Sequence, residues 1–165
     1  MPTVKKYRWD LAIQYANRWA LGRNPAYYDF TTLGCDCTNF ISQCLYAGRN
    51  TMNPDRTLGW YYYSINRRSP SWTGVEFLYN FLTTNQKKGV FAREVDVSKV
   101  HLGDLIQLAD GTGDYYHTLI ITMMDQIPNM NTIYVNAHDF NAKLRPLNTY
   151  QYESLRFLHI EGVYV

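Results

Sequence analysis

The sequence has 165 residues, with 16 Lys and Arg against 14 Asp and Glu and a formal net charge of +2. This length fits a single domain, which we predict over residues 1–165, and the charge balance excludes the basic excess typical of nucleic-acid binders. Hydrophobic residues at 46% exclude a disordered chain, and no apolar run is long enough to span a bilayer. Aromatic residues reach 16%, and 15 of them are tyrosines.

Three segments in the first half of the chain predict helices. Apolar residues of 9–21 recur at helical spacing, and 37–47 has one apolar face and ends at Gly48, a suitable C-terminal cap. A third helix is predicted over 74–84. The segment 50–71 has no clean period, so we expect a long loop with one turn of helix at most.

The pattern changes after Gly89 to short runs rich in β-branched and aromatic residues, separated by Gly, Asn, Asp and Pro. These runs predict strands over 90–95, 104–108, 115–124, 132–137 and 156–165. Helices followed by strands are typical of an α+β fold, with the N-terminal helices packed on an antiparallel β-sheet.

Three cysteines, Cys35, Cys37 and Cys44, lie within ten residues, and their odd number leaves at least one free thiol. Cys37 is predicted at the first position of a helix, where unpaired N–H groups and the helix dipole lower the pKa of a thiol. Cys44 falls two turns later on the buried face. Cys35 is predicted to be a free loop thiol, because a bond between Cys35 and Cys37 is expected to be strained.

A cysteine nucleophile needs a base, and His117 is the best placed histidine. It begins an apolar strand directly after a Gly- and Asp-rich loop, so its ring is predicted to face a cleft at the sheet edge. If the next strand forms a hairpin with it, residues Asn136, His138 and Asp139 return opposite His117. A slip of one residue in register exchanges which of them faces the ring.

The sequence predicts no metal site and no cofactor. A Cys-x-Cys spacing with scattered histidines lacks the paired ligands of zinc sites, and the glycines near residue 111 lack the lysine of a phosphate-binding loop. His101 is interpreted as a turn residue and His159 as part of the final strand.

The segment Gly34-Cys-Asp-Cys-Thr-Asn-Phe-Ile-Ser-Gln-Cys-Leu-Tyr-Ala-Gly48 resembles the nucleophile helix of the bacterial "putative amidase domain" family, related to the NlpC/P60 and CHAP cysteine hydrolases. The Gly-Asp-Leu-Ile run at 103–106 and the His117 and His138 segments follow in the family's order. The resemblance covers about residues 7 to 160. It implies a papain-like fold in which Cys37 attacks an amide carbonyl and His117 is the general base. By the motif, His138 orients His117, with Asn136 and Asp139 as alternatives.

The resemblance also implies the substrate, a peptidoglycan peptide or another amide, and a location at the cell wall or outside the cell. We expect a monomer, although the sequence does not show the oligomeric state. The amino terminus, MPTVKKYRWD, has no apolar segment of a secretion signal, so a cytoplasmic location stays open. The oxyanion is expected to face the Cys37 N–H, with a further donor from Tyr27 or Tyr28.

Substrate contacts are predicted for Asp36, Tyr28, Trp60 and Tyr116. Aromatic rings with polar tips in loops suit a groove that holds sugar faces and peptide backbones. The alternative is that these rings pack on the domain. The alternative function is a noncatalytic cell-wall-binding or interaction module on the same fold. Acyl transfer instead of hydrolysis also stays open.

Overall fold

A computed structural model describes residues 1–165 and places the helices in the first half of the chain, as predicted. They are α1 (Trp9–Trp19), α2 (Cys37–Ala47), α3 (Pro70–Thr73) and α4 (Val75–Thr84). The bounds of α2 agree with the prediction at both ends. The longest helices have 11 residues, and none of the four has the length and apolar character needed to cross a membrane.

Most strands join one antiparallel sheet, which confirms the α+β class. The strands are β1 (Val4–Lys5), β2 (Tyr62–Ser64), β3 (Arg67–Arg68), β4 (Gly89–Val95), β5 (Leu105–Ala109), β6 (Tyr115–Met123), β7 (Tyr134–Ala137), β8 (Ala142–Pro146) and β9 (Ser154–Tyr164). Seven of them form this sheet, in the order β1-β9-β5-β6-β7-β8 with β4 also paired to β9. The remaining two, β2 and β3, form a separate hairpin. The papain-like architecture stays a prediction.

The structure corrects the expected loop over 50–71. That segment contains the β2–β3 hairpin and the start of α3, and an isolated bridge pairs Asn53 with Trp60. Strands β1 and β8 were not predicted either. β8 is a five-residue edge strand; its residues alternate between apolar and polar, but Lys143 and Leu144 are both exposed, so the alternation does not mark a buried face.

Helix α2 lies in the middle of the molecule, packed against α1, α3 and β6. Every residue from Cys37 to Leu45 is buried. The polar groups among them are therefore paired: Ser42 Oγ donates to the carbonyl of Trp72, and Asn39 Nδ2 donates to the carbonyl of Tyr28. A helix enclosed in this way has little freedom to shift, so it holds its first residue in a fixed place.

Trp60 is a core residue and not part of a substrate groove, which corrects the sequence prediction. Its side chain has 0% exposure, and its ring lies 4.8 Å from that of Trp72 and 6.0 Å from that of Phe81, measured between centroids. The indole N–H donates to Ser42 Oγ at 3.0 Å. Part of the aromatic surplus therefore fills the space between α2 and α4.

Candidate active site

The candidate nucleophile, Cys37, is the first residue of α2. The first backbone hydrogen bond of the helix runs from the N–H of Phe40 to the carbonyl of Asp36, at 3.0 Å. The N–H of Cys37 has no carbonyl partner and points at Cys35 Sγ, 3.4 Å away. Cys37 therefore lies where unpaired N–H groups favour a negative charge, on the thiolate or on an oxyanion.

Asp36, between the two cysteines, is completely buried and fixes this helix start. One carboxylate oxygen accepts the N–H of Phe30 and the side-chain amide of Asn39, both at 2.9 Å, and the other oxygen lies 2.6 Å from His138 Nδ1. Arg23 Nε lies 3.3 Å from that second oxygen. The predicted contact of Asp36 with substrate is therefore wrong, because its side chain has 0% exposure.

A disulfide joins Cys35 to Cys37 in the structure, and this corrects the prediction that Cys35 is a free thiol. The two Cα atoms are 5.6 Å apart, within the usual range for disulfides. Cys44 is the free thiol, and burial raises its pKa.

His117, at the start of β6, faces both sulfurs. A ring nitrogen of His117 and the sulfurs of Cys35 and Cys37 all lie within 4.8 Å of one another. Burial and, less strongly, the Arg145 cation lower the pKa of the ring from 6.5 to about 4. A neutral imidazole is the form that accepts a thiol proton, and transfer from Cys37 requires the two groups to approach from this separation to hydrogen-bond distance or to share a water.

None of the three candidate orienting residues contacts His117. The β6–β7 hairpin forms, but its register pairs Ile120 with Asn136, which places His117 beyond the end of β7. The side chain of Asn136 is buried and bonds to Asn17 and to the N–H of Leu144. Asp139 accepts the N–H of Asp36 at 2.7 Å, and burial raises the pKa of Asp139.

His138 supports the helix start and does not orient His117, which corrects the role that the resemblance implied. Its Nε2 lies 2.7 Å from the carbonyl oxygen of Trp19, and its Nδ1 faces Asp36. Its ring stacks on Phe40 with centroids 3.8 Å apart. The ring is thus held between the Asp36 carboxylate and the Trp19 carbonyl, one on each ring nitrogen.

Two tyrosines flank His117, and one of them was not predicted from the sequence. The ring centroids of Tyr116 and Tyr150 lie 6.3 and 6.1 Å from that of His117. The Tyr150 hydroxyl is buried without a hydrogen-bond partner, and the Arg145 guanidinium lies 3.7 Å from the centre of its ring. No local pattern identifies Tyr150, which follows a short 3-10 turn far along the chain.

An open groove of about 810 Å³ runs beside these tyrosines. Tyr116 and Tyr150 line it together with Tyr152, and Tyr116 is 45% exposed. Tyr28 is also exposed, at 39%, but it lies against Phe30 and does not line this groove. Tyr116 therefore lines a groove and Tyr28 does not, and neither Cys37 nor His117 is among the residues that line it, so the predicted substrate groove stays a prediction.

Two groups of side chains bring potential metal ligands within 4.8 Å of one another: Cys35, Cys37 and His117, and His101, Asp104 and His159. In the second group the buried Asp104 accepts the N–H of His101, the N–H of Ile160 and a bond from His159 Nδ1. These bonds already satisfy the carboxylate and tie the start of β5 to β9. The second group therefore has a structural role, because its hydrogen bonds hold two strands of the sheet together.

Comparison with known proteins agrees with the α2 motif. Residues 6–160 match the family described as "Putative amidase domain". The chain is 36% identical over 138 residues to the uncharacterized protein YhbB of Bacillus subtilis (strain 168), covering 81% of this chain and 42% of that protein. It thus spans less than half of that relative's length. No solved structure matches. The family description indicates a hydrolase of amide bonds, and the match over nearly the whole chain means that this protein belongs to the "Putative amidase domain" family.

Proposed function

We propose that the protein is a cysteine-dependent amide hydrolase that acts on cell-wall peptidoglycan, with Cys37 as nucleophile and His117 as general base. The observation that carries this proposal is the position of Cys37 at the start of a buried helix, with a His117 ring nitrogen within 4.8 Å of its sulfur. Cysteine hydrolases of papain-like architecture use this pairing of a helix-start thiol with a strand histidine, and we place the chain among them.

The proposed reaction requires Cys37 in its reduced form. His117 takes the thiol proton, and the thiolate adds to the amide carbonyl carbon. The oxyanion forms near the Cys37 N–H, which has no carbonyl partner within the helix. His117 then protonates the leaving amine, and water hydrolyses the thioester to restore the thiol.

The groove next to His117 supports a peptidoglycan substrate. Three tyrosines line it, and its remaining lining is largely polar, with two asparagines, a glutamine and two carboxylates (Tyr116, Tyr150, Tyr152, Asn131, Asn148, Gln151, Asp110 and Glu153). Aromatic faces bind sugar rings, and amides bind peptide backbones. This substrate would place the working enzyme at the cell wall.

The experiment compares amine release from purified peptidoglycan by the reduced protein and its variants. Cys37→Ala is expected to abolish release, and His117→Ala is expected to lower turnover by about 10²- to 10⁴-fold. Cys35→Ala is the matched control, because it removes the other cysteine of the same turn, and this variant should remain active. Unchanged release by Cys37→Ala would refute the nucleophile.

Mass spectrometry of the products from defined muropeptides would identify the cleaved bond. If the reduced wild-type protein binds peptidoglycan but releases no amine, the noncatalytic binding module replaces our proposal. Products joined to an added amine would instead indicate acyl transfer, which uses the same thioester.

A further inference from the structure

The strongest feature that the proposed reaction does not use is Cys35. It lies two residues from the nucleophile, is half-buried at the end of an exposed loop, and is joined to Cys37 in the structure. In this state Cys37 has 0% exposure, so its sulfur is both bonded and closed to substrate. The structure therefore shows an inactive form of the candidate site.

The pair is held ready for this bond by the residues around it. Asp36 is anchored through its carboxylate to Phe30 and Asn39, and through its N–H to Asp139. These anchors fix the backbone between the two cysteines at a Cα separation of 5.6 Å, which suits a disulfide. Gly34, just before Cys35, has a φ of +122°, a conformation that residues with a side chain rarely adopt. The turn is thus set by the chain and not by the sulfurs alone.

The neighbourhood also supplies what oxidation needs. A ring nitrogen of His117 lies within 4.8 Å of both sulfurs and is able to take up a thiol proton. The thiolate is the form that reacts with peroxides. The third cysteine, Cys44, is completely buried on α2, and burial raises the pKa of its thiol. Oxidation is therefore directed to Cys37 and its neighbour.

We propose that Cys35 and Cys37 form a reversible oxidation site whose co-substrate is a hydroperoxide, and that Cys35 is the resolving thiol. The claim that this oxidation switches off hydrolysis rests on the proposed nucleophile role of Cys37; the oxidation itself does not. Oxidation converts Cys37 to the disulfide form described above. Reduction by a dithiol, which is itself oxidised to a disulfide, restores the free thiol.

Oxidation of the two thiols to the disulfide takes two steps. The Cys37 thiolate attacks the peroxide, an S–O bond forms as the O–O bond breaks, and protonation releases an alcohol, or water from hydrogen peroxide. The Cys35 thiol then attacks the sulfenic sulfur, the S–S bond forms, and the hydroxyl leaves as water with the thiol proton. Two thiols lose two electrons in total, and the peroxide gains them.

The test uses the full chain, reduced with dithiothreitol, desalted and kept in a chelator so that metals do not occupy the thiols. After two equivalents of hydrogen peroxide per protein, which is enough to carry one thiol to the sulfinic acid, intact mass and alkylation under denaturing conditions report the thiols. Wild type should lose about 2 Da and two of its three alkylatable thiols, and dithiothreitol should restore both. Peptide mapping should place the bond between Cys35 and Cys37.

The matched variants are Cys35→Ser and Cys44→Ala. Without a resolving thiol, Cys35→Ser should pass to the sulfinic acid, with a gain of about 32 Da that dithiothreitol does not reverse. Cys44→Ala should behave as wild type. Sulfinic acid in wild type at the same peroxide dose, or a disulfide mapped to Cys44, would overturn the proposal.

Failure of this proposal is distinguishable from failure of the proposed function, because the thiol measurements need no amide substrate. A disulfide that forms in a protein without amide hydrolysis would refute the function and leave the oxidation site standing. Hydrolysis that survives peroxide at more than a tenth of the reduced rate, with the disulfide fully formed, would refute the switch.

Discussion

Replacing His138 with Ala would decide whether this residue supports the fold or the chemistry. The ring is 1% exposed, faces the carboxylate of Asp36 at 2.6 Å and the carbonyl of Trp19 at 2.7 Å, and stacks on Phe40. Because it contacts the start of α2 and not His117, we expect His138→Ala to destabilise the fold and leave the pH dependence of residual turnover unchanged.

The magnitude follows from what the substitution leaves behind. Removing a hydrogen-bond partner from a buried carboxylate costs about 1–3 kcal/mol or more, and the loss of the buried ring itself costs about as much again. Asp36 keeps the N–H of Phe30 and the amide of Asn39, which favours the lower end of that range, while the space vacated beside Phe40 adds to it. We expect a loss of about 3–5 kcal/mol in the free energy of unfolding, a large part of the stability of a domain of this size.

Urea unfolding of the reduced protein at pH 7 measures this loss. His101→Ala is the control, since its side chain is exposed and should change the free energy of unfolding by about 0.5 kcal/mol or less. A loss below about 1 kcal/mol for His138→Ala, together with a shifted pH–rate profile, would refute the supporting role and restore the catalytic one.

Three further predictions concern the aromatic residues and His117. Trp60→Ala should cost about 3–5 kcal/mol in urea unfolding because its side chain is fully buried, whereas Tyr116→Ala should change stability by about 0.5 kcal/mol or less and raise KM. Tyr150→Phe should not lower stability, since it removes a buried hydroxyl that has no partner. In the disulfide form, NMR titration should give His117 a pKa of about 4, below the ordinary 6.5, and Arg145→Gln should raise it by removing a nearby cation. Between pH 4 and pH 6.5 the His117 ring therefore binds fewer protons in the folded protein than in the unfolded chain. The stability that comes from burying the neutral ring is fully present above about pH 6.5 and should be lost as the pH falls towards 4.

The pairing of Cys37 with His117 could be predicted from the sequence because both positions depend on local signals. A turn followed by a helical period places Cys37, and a polar residue at the entrance of an apolar strand places His117. The residue that was expected to orient His117 could not be predicted, because its position depends on strand register. Bulges in both the β6–β7 and the β7–β8 pairings break the symmetry of a simple hairpin. The partner of His138 is Asp36, 102 residues away, and no local pattern indicates it.

Trp60 shows a second limit, since its segment has no period that separates a buried ring from an exposed one. Its burial comes from Trp72, Phe81 and the hydroxyl of Ser42, which lie on three different helices, whereas Trp60 itself lies on none. A composition rich in tyrosine and tryptophan indicates many aromatic contacts without saying which face a groove. Tyr116 could be assigned to the groove because it adjoins His117 in the chain.

Asp36 links the proposed reaction to the proposed oxidation. Its carboxylate and N–H join the loop at Phe30, the side chain of Asn39 on α2 and Asp139 after β7, so one buried residue fixes the backbone from which both sulfurs project. The geometry that presents Cys37 to a substrate is therefore also the geometry that presents it to Cys35. A substitution at Cys35 separates the two properties, because it removes the resolving thiol and leaves the turn. Asp36→Asn should slow amide hydrolysis and disulfide formation together, because both depend on the same anchored turn.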